Sequence, residues 1–206
     1  MEIRIGIRPS PLARKQALEA LPVLKGLYRD ARFVVRVITT TGDKDRATPL
    51  SEVEGSDFFT REIDEALLSG DVDVAVHSAK DLPKALPVGL EVLVQTHALS
   101  PFDALVSRAD LKLAQLPAGS RIGTSSSRRK AEISSLRPDL VLVDIRGNIG
   151  ERIGLVDSGF IDALVVAHAA LIRLGLEHRA SEVFPLDVFA THPKQGSLAI
   201  VGRKRL

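Results

Sequence analysis

The side chains of this sequence best suited to chemistry are arginines, hydroxyls and one acid, and they recur just after short apolar runs. Arg8 and Ser10 follow the alternation of Ile3, Ile5 and Ile7. Ser78, Lys80 and Asp81 follow a run ending at His77. Thr124, Ser125, Ser126, Arg128 and Arg129 follow one ending at Gly123. Arg146, Gly147 and Asn148 follow residues 141–145, with Arg152 one turn later. Arg173 lies in the helical stretch after residues 163–167. In open α/β sheets ligands bind beyond the carboxyl ends of strands. Helix N-termini there add N–H donors and partial positive charge. A guanidinium fork grips a planar carboxylate at two points. The sum predicts a site for a polyanion carrying several carboxylates or phosphates. One arginine after a strand is ordinarily a solvated surface residue; the same chemistry at five strand ends is a pattern.

Asp81 is the most informative acid. Lys80 is beside it, and nearby cations favour the ionised carboxylate. Such a group can steady a developing cation or shuttle a proton. Its alternative reading is a turn or cap residue before Pro83. His77 reads as a strand-end histidine hydrogen-bonded to backbone, and His168 and His178 as solvent or packing residues. No spacing suggests a metal site. The turn at residues 123–126 lacks the Gly-Lys-Ser/Thr ending of a Walker loop.

Composition narrows the classes further. With no Cys in the sequence, disulfides, thiolate zinc sites, cysteine nucleophiles and thioether-linked cofactors are excluded. A net charge of +2 is too small to imply a nucleic-acid partner, and 4% aromatics offer few platforms for stacking bases. Residues 1–10 lack the apolar core of a signal peptide. Residues 161–172 are too short to span a bilayer and contain Asp162 and His168. The expectation is a cytoplasmic protein with no membrane partner.

The elements that must position these residues alternate. Strands are expected at residues 3–7, 33–38, 72–77, 90–94, 121–123, 141–145 and 163–167. Helical spacing links Ala13, Ala17, Leu21 and Leu24, with Pro22 kinking or shortening that helix. It also links Phe59, Ile63 and Leu67, with Gly70 as the stop. Residues 41–57 read as a loop. Ser126 or Ser127 can cap one helix. Asn148 with Glu151 can cap another, whose buried stripe is Ile149, Ile153 and Val156 and which Gly159 closes. Strands alternating with helices imply parallel βαβ units and an α/β architecture. Residues 96–103 and 190–195 are candidate crossings between two lobes with a ligand cleft between them.

At this point a family resemblance is visible. Arg8-Pro9-Ser10-Pro11-Leu12-Ala13, Val76-His77-Ser78-Ala79-Lys80-Asp81-Leu82-Pro83, Gly123-Thr124-Ser125-Ser126-Ser127-Arg128-Arg129, Ile145-Arg146-Gly147-Asn148-Ile149-Gly150 and Arg173-Leu174-Gly175-Leu176 resemble the signature blocks of porphobilinogen deaminase (hydroxymethylbilane synthase) in content, order and spacing. The resemblance covers essentially the whole chain. It implies two lobes similar to type 2 periplasmic binding proteins: lobe one as residues 1–97 with 194–206, and lobe two as residues 98–193. It implies condensation of four porphobilinogen molecules with ammonia release, in tetrapyrrole, porphyrin and heme biosynthesis. Asp81 would be the catalytic carboxylate. Arg8, Ser10, Lys80, Arg128, Arg129, Arg146, Arg152 and Arg173 would hold acetate and propionate groups. Ser78, Thr124, Ser125 and Ser126 would donate hydrogen bonds. Phe59 would lie near the substrate ring, and Gln195 at the lobe crossing.

The chain also departs from that family. It reads as truncated, lacking a third domain whose cysteine carries the dipyrromethane primer, so that cofactor would be held non-covalently or not at all. A separate chain could supply the missing domain. The stretch Glu52-Val53-Glu54-Gly55-Ser56-Asp57 is acidic where the family carries lysines and glycines, and Lys194 replaces a usual glycine. Three functions compete: a deaminase; a non-catalytic binder of a pyrrole, bilane, porphyrin or other polycarboxylate pyrrole; and an unrelated two-lobed anion receptor, which the motif blocks disfavour.

Overall fold

The computed structural model describes residues 1–45, 47–48, 53 and 55–204. The chain divides into two compact lobes, one built from Met1–Ala47, Val53–Ala98 and the segment from Ser197 on, the other from Leu99–Gly196 together with Thr48. Lobe one contains β1 (Glu2–Ile7), α1 (Pro11–Leu27), β2 (Arg32–Val37), α2 (Thr41–Lys44), α3 (Arg61–Ser69), β3 (Val74–Ser78), β4 (Leu90–Gln95) and β10 (Leu198–Arg203). Lobe two contains β5 (Asp103–Ser107), β6 (Arg121–Gly123), α4 (Ser127–Leu136), β7 (Val141–Val143), α5 (Ile149–Asp157), β8 (Ala163–Ala167), α6 (His168–Leu174) and β9 (Glu182–Val183).

Each lobe holds one five-stranded sheet, ordered β2-β1-β3-β10-β4 and β7-β6-β8-β5-β9. The first three strands of each are parallel, as the alternation predicts. The fourth is not. β10 runs antiparallel to β3 and β4, and β5 runs antiparallel to β8 and β9. Both strands enter their sheets without the crossover helix that a parallel neighbour requires.

The lobe-one sheet buries both faces. Ile3, Ile5 and Ile7 pack with Ala13, Ala17, Ala20 and Leu24 of α1, together with Leu198 and Ile200 of β10. On the other side, Ile63 and Leu67 of α3 pack with Val72, Ala75, Leu90 and Val201. Burying one such side chain contributes roughly 1.5–3 kcal/mol. Lobe two is built the same way. Leu105, Ile122, Ile133, Phe184 and Phe189 lie in one cluster and Ile153, Val156, Leu164 and Leu171 in another.

Two local expectations change. Pro22 does not shorten α1, which runs on to Leu27. Pro22 and Leu18 both face solvent, so water can take the Leu18 carbonyl that the missing Pro22 N–H leaves without a donor. Within the expected loop at residues 41–57, Thr41–Lys44 form a helical turn; residues 46, 49–52 and 54 of that stretch lie outside the described ones.

Candidate functional site

In lobe one, β1 and β3 are parallel neighbours, with Ile5 opposite Val74 and Gly6 opposite Ala75. Their carboxyl ends therefore open on one edge, which carries Arg8 and Ser78. Ser10 caps α1 by accepting from the Ala13 N–H at 3.0 Å. The Ser78 hydroxyl accepts from Gln16 Nε2 at 2.8 Å. Arg8 donates from Nε to Asp43 Oδ1 at 3.1 Å and from Nη2 to the same oxygen. Its guanidinium lies 4.3 Å from the centre of the Phe59 ring, within cation–π range. Lys80 is half-buried. Asp81 ends the single 3-10 turn Ala79–Asp81 with its side chain exposed.

His77, just upstream, is 5% exposed. Its Nε2 has no hydrogen-bond partner among the described residues, so the expected backbone bond is not made through that atom. Burial pushes the imidazole down to about 4; the Asp81 charge opposes this and the Arg8 charge adds to it. His77 is thus a neutral ring at pH 7, within electrostatic reach of both site residues.

In lobe two, β6, β7 and β8 are parallel, so the segments after them share an edge. Ser125 is buried and reciprocally bonded to Ile145: its hydroxyl donates to the carbonyl at 2.6 Å and accepts from the N–H at 2.8 Å. Thr124, also buried, accepts from the Ser126 N–H at 3.3 Å. Ser126 occupies the N-cap position of α4 without a side-chain cap bond. Asn148 and Glu151 form the expected capping box on α5, with bonds of 3.1 and 2.8 Å. Arg152 Nε donates to the Gly147 carbonyl at 2.8 Å. Arg146 is half-buried on the same edge.

The other lobe-two residues converge on the two segments that enter and leave the lobe. Arg129 donates to Asp103 Oδ1 at 2.6 Å and to the Val165 carbonyl at 3.2 Å. Gln195 Nε2 donates to the same Asp103 oxygen at 2.9 Å and to the Phe102 carbonyl at 3.0 Å. Arg128 reaches the Thr191 carbonyl at 3.3 Å, and Arg173 the Gly196 carbonyl at 2.7 Å. His168 Nδ1 lies 3.0 Å from the Ser100 hydroxyl, a partner its packing-or-solvent reading did not include. Gly196 has φ +82°, and a Cβ there would sit 2.2 Å from the Ser100 carbonyl oxygen. Asp103, Gln16 and Asp43 are organising residues that sequence reasoning missed.

Residues 3–205 match the family described as porphobilinogen deaminase, dipyromethane cofactor binding domain. The chain belongs to the porphobilinogen deaminase family. It is 42% identical over 200 residues to the porphobilinogen deaminase of Corynebacterium glutamicum, covering 97% of this chain and 65% of that protein. It is 41% identical over 204 residues to that of Deinococcus radiodurans, covering 98% of this chain and 66% of that protein. The chain thus spans less than two thirds of the length of these relatives. Among solved structures, a periplasmic substrate-binding protein of an ABC transporter from Coxiella burnetii matches with TM-score 0.56 at 15% identity, over 98% of this chain and 85% of that one. That likeness carries the fold, a two-lobed α/β architecture of the type 2 periplasmic-binding kind.

Against the porphobilinogen deaminase pattern, the acidic stretch divides. Glu52 and Glu54 lie outside the described residues. Asp57 is paired with Arg61 at 2.7 and 2.9 Å, which holds its carboxyl below the usual range and offsets its charge. Among the described residues no group of His, Cys, Asp and Glu could hold a metal ion, and no helix is long and apolar enough to cross a membrane.

Proposed function

We propose that this chain takes part in hydroxymethylbilane synthesis, with Asp81 as the catalytic carboxylate and porphobilinogen as substrate. The observation that carries the reading is the lobe-one edge. An exposed acid stands there next to Lys80, within electrostatic reach of the same buried neutral imidazole as Arg8. In each condensation the carbon–nitrogen bond of the aminomethyl group, protonated to its ammonium form, breaks and neutral ammonia leaves with the bonding pair. The ring nitrogen stabilises the resulting azafulvene cation. The free α-carbon of a second pyrrole attacks the methylene, and that carbon then loses its proton. The Asp81 carboxylate accepts a hydrogen bond from the pyrrole N–H of the cation, lowers its energy and receives the departing proton.

The acetate and propionate groups of porphobilinogen suit guanidinium forks and hydroxyls. Arg8, Ser10 and Lys80 supply such donors in lobe one, with Ser78 beside them and Phe59 as the aromatic face. Arg128, Arg146, Arg152, Arg173 and Ser126 supply them in lobe two. Arg129, Gln195, Thr124 and Ser125 hold backbone and Asp103 in place, and support that edge from beneath. A dipyrromethane cofactor would bring two more pyrroles of the same carboxylate chemistry, and the donor set fits it. None of the 206 residues is a cysteine, so none here can form its thioether bond. That same fact favours a second reading, a binder of pyrroles without turnover.

The two separate on incubation of the purified chain with porphobilinogen. The deaminase reading expects its consumption, and uroporphyrin after oxidation. Absence of consumption, with binding by calorimetry, selects the binder. Asp81→Asn is expected to abolish consumption and spare binding; unchanged turnover refutes the role given to Asp81.

A further inference from the structure

Asp43 was not singled out by its sequence context, yet its carboxylate accepts four hydrogen bonds. Its Oδ1 accepts from Nε and Nη2 of Arg8. Its Oδ2 accepts from the backbone N–H of Thr40 at 3.0 Å and the Thr40 hydroxyl at 2.9 Å. Burial alone would push this carboxyl up. The bonds from Arg8 and Thr40 outweigh burial and hold it below its ordinary value, so it is charged at neutral pH.

The turn that carries Asp43 is itself fixed. Thr41 donates from N and Oγ1 to Glu62 Oε1 of α3 at 2.8 and 2.5 Å. The Gly42 N–H donates to the Phe58 carbonyl at 2.9 Å. A Cβ on Gly42 would lie 2.2 Å from Phe59 Cδ1, so the Phe59 ring rests directly on this backbone. Phe58 meets Phe59 edge-on at 5.1 Å. One short turn therefore places both the acid on the edge of the Arg8 guanidinium and the ring over its face.

We propose that Asp43 is a positioning residue for Arg8. It grips the Nε/Nη2 edge through Nε and one Nη2 proton, and leaves Nη1 and the second Nη2 proton as a two-point fork for a ligand carboxylate. The ligand half of this statement rests on the function proposed above. Because the Arg8–Asp43 pair is neutral as a unit, the fork acts by direction more than by net charge.

Two measurements test it on the full chain. The Arg8 Nε–H signal in a nitrogen-15 spectrum, assigned by its loss in Arg8→Lys, is expected to be protected from solvent exchange in the wild type and unprotected in Asp43→Asn. Calorimetry with porphobilinogen is expected to show binding weakened about tenfold or more by Asp43→Asn. Asp43→Glu should recover part of that loss. The Asp43→Asn/Arg8→Ala double variant should bind no worse than Arg8→Ala. An unprotected wild-type signal overturns the inference. So do strictly additive losses, or tighter binding in Asp43→Asn, which would make Asp43 a competitor of the ligand. Thermal melts of each variant separate lost folding from lost positioning. If the wild type does not bind porphobilinogen, the proposed function fails and the Nε–H signal alone decides the role of Asp43.

Discussion

Asp64 is the residue whose surroundings suit its chemistry least. It is 2% exposed, and among the described residues neither carboxylate oxygen has a hydrogen-bond partner. Burial raises its carboxyl to about 6, with smaller contributions from the charges of Asp57 and Glu65. Thr60, one turn back, pulls the other way, although its hydroxyl makes no full hydrogen bond. The folded value lies above the ordinary 3.8. The native state thus holds the proton more tightly than the unfolded chain does. Its stabilisation is complete below the ordinary value and is lost as pH rises through about 6. Asp64→Asn is expected to stabilise the protein above neutral pH by something on the order of 1–3 kcal/mol and to change little under acid conditions. Urea unfolding across pH reads this directly.

His77 has the opposite sign. Its folded value of about 4 lies under the ordinary 6.5, so its stability is complete above 6.5 and declines as pH falls toward about 4. His77→Gln should flatten that acid decline in the same titration.

The placement of Arg8, Asp81, Arg128, Arg129 and Arg146 after strands was legible in the sequence, because short apolar runs mark the strands that precede them. Their partners were not. Asp43 lies 35 residues from Arg8, Gln16 lies 62 from Ser78, and Asp103 lies 92 from Gln195. Periodicity carries no information about bonds over such separations.

At the scale of elements, the capping box of α5 was readable because both partners lie within one turn. Removing it with Asn148→Ala should cost about 1 kcal/mol in chemical unfolding. The strand β10 was not readable. Leu198–Arg203 has five buried residues in succession, as β3 and β8 nearly do, but unlike them it has no helix before it to mark it as part of a βαβ unit. β5, Asp103–Ser107, hides for the same reason, with four buried residues in a row. These two strands are the antiparallel ones, and missing them left only parallel βαβ units in the expectation. Gly196 is an element-scale constraint of a different kind. Gly196→Ala meets both a left-handed backbone and the Ser100 carbonyl. It should destabilise by roughly 2 kcal/mol or more, checked by the shift in melting temperature.

For the whole molecule, alternation of strands and helices was enough to give an α/β class. The lobes, however, are unequal in how the chain builds them. The sheet and both core clusters of lobe two come from one continuous stretch, Leu99–Gly196. Lobe one needs β10, which lies between β3 and β4 and contributes to cores on both faces of its sheet. A chain stopped after Gly196 is expected to lose protection from hydrogen exchange across β1, β3 and β4 while retaining it in β6 and β8. Loss of protection in both lobes together would refute that independence.

The interior placement of β10 also bears on how the molecule is made. Domains usually mature in the order in which they leave the ribosome. Here the part of lobe one that precedes Leu99 emerges before lobe two and waits with an unfinished sheet whose edges are open to wrong partners, while the later-made lobe can already close on itself. A nascent chain arrested before β10 should therefore present a folded second lobe tethered to a sticky, chaperone-seeking first one.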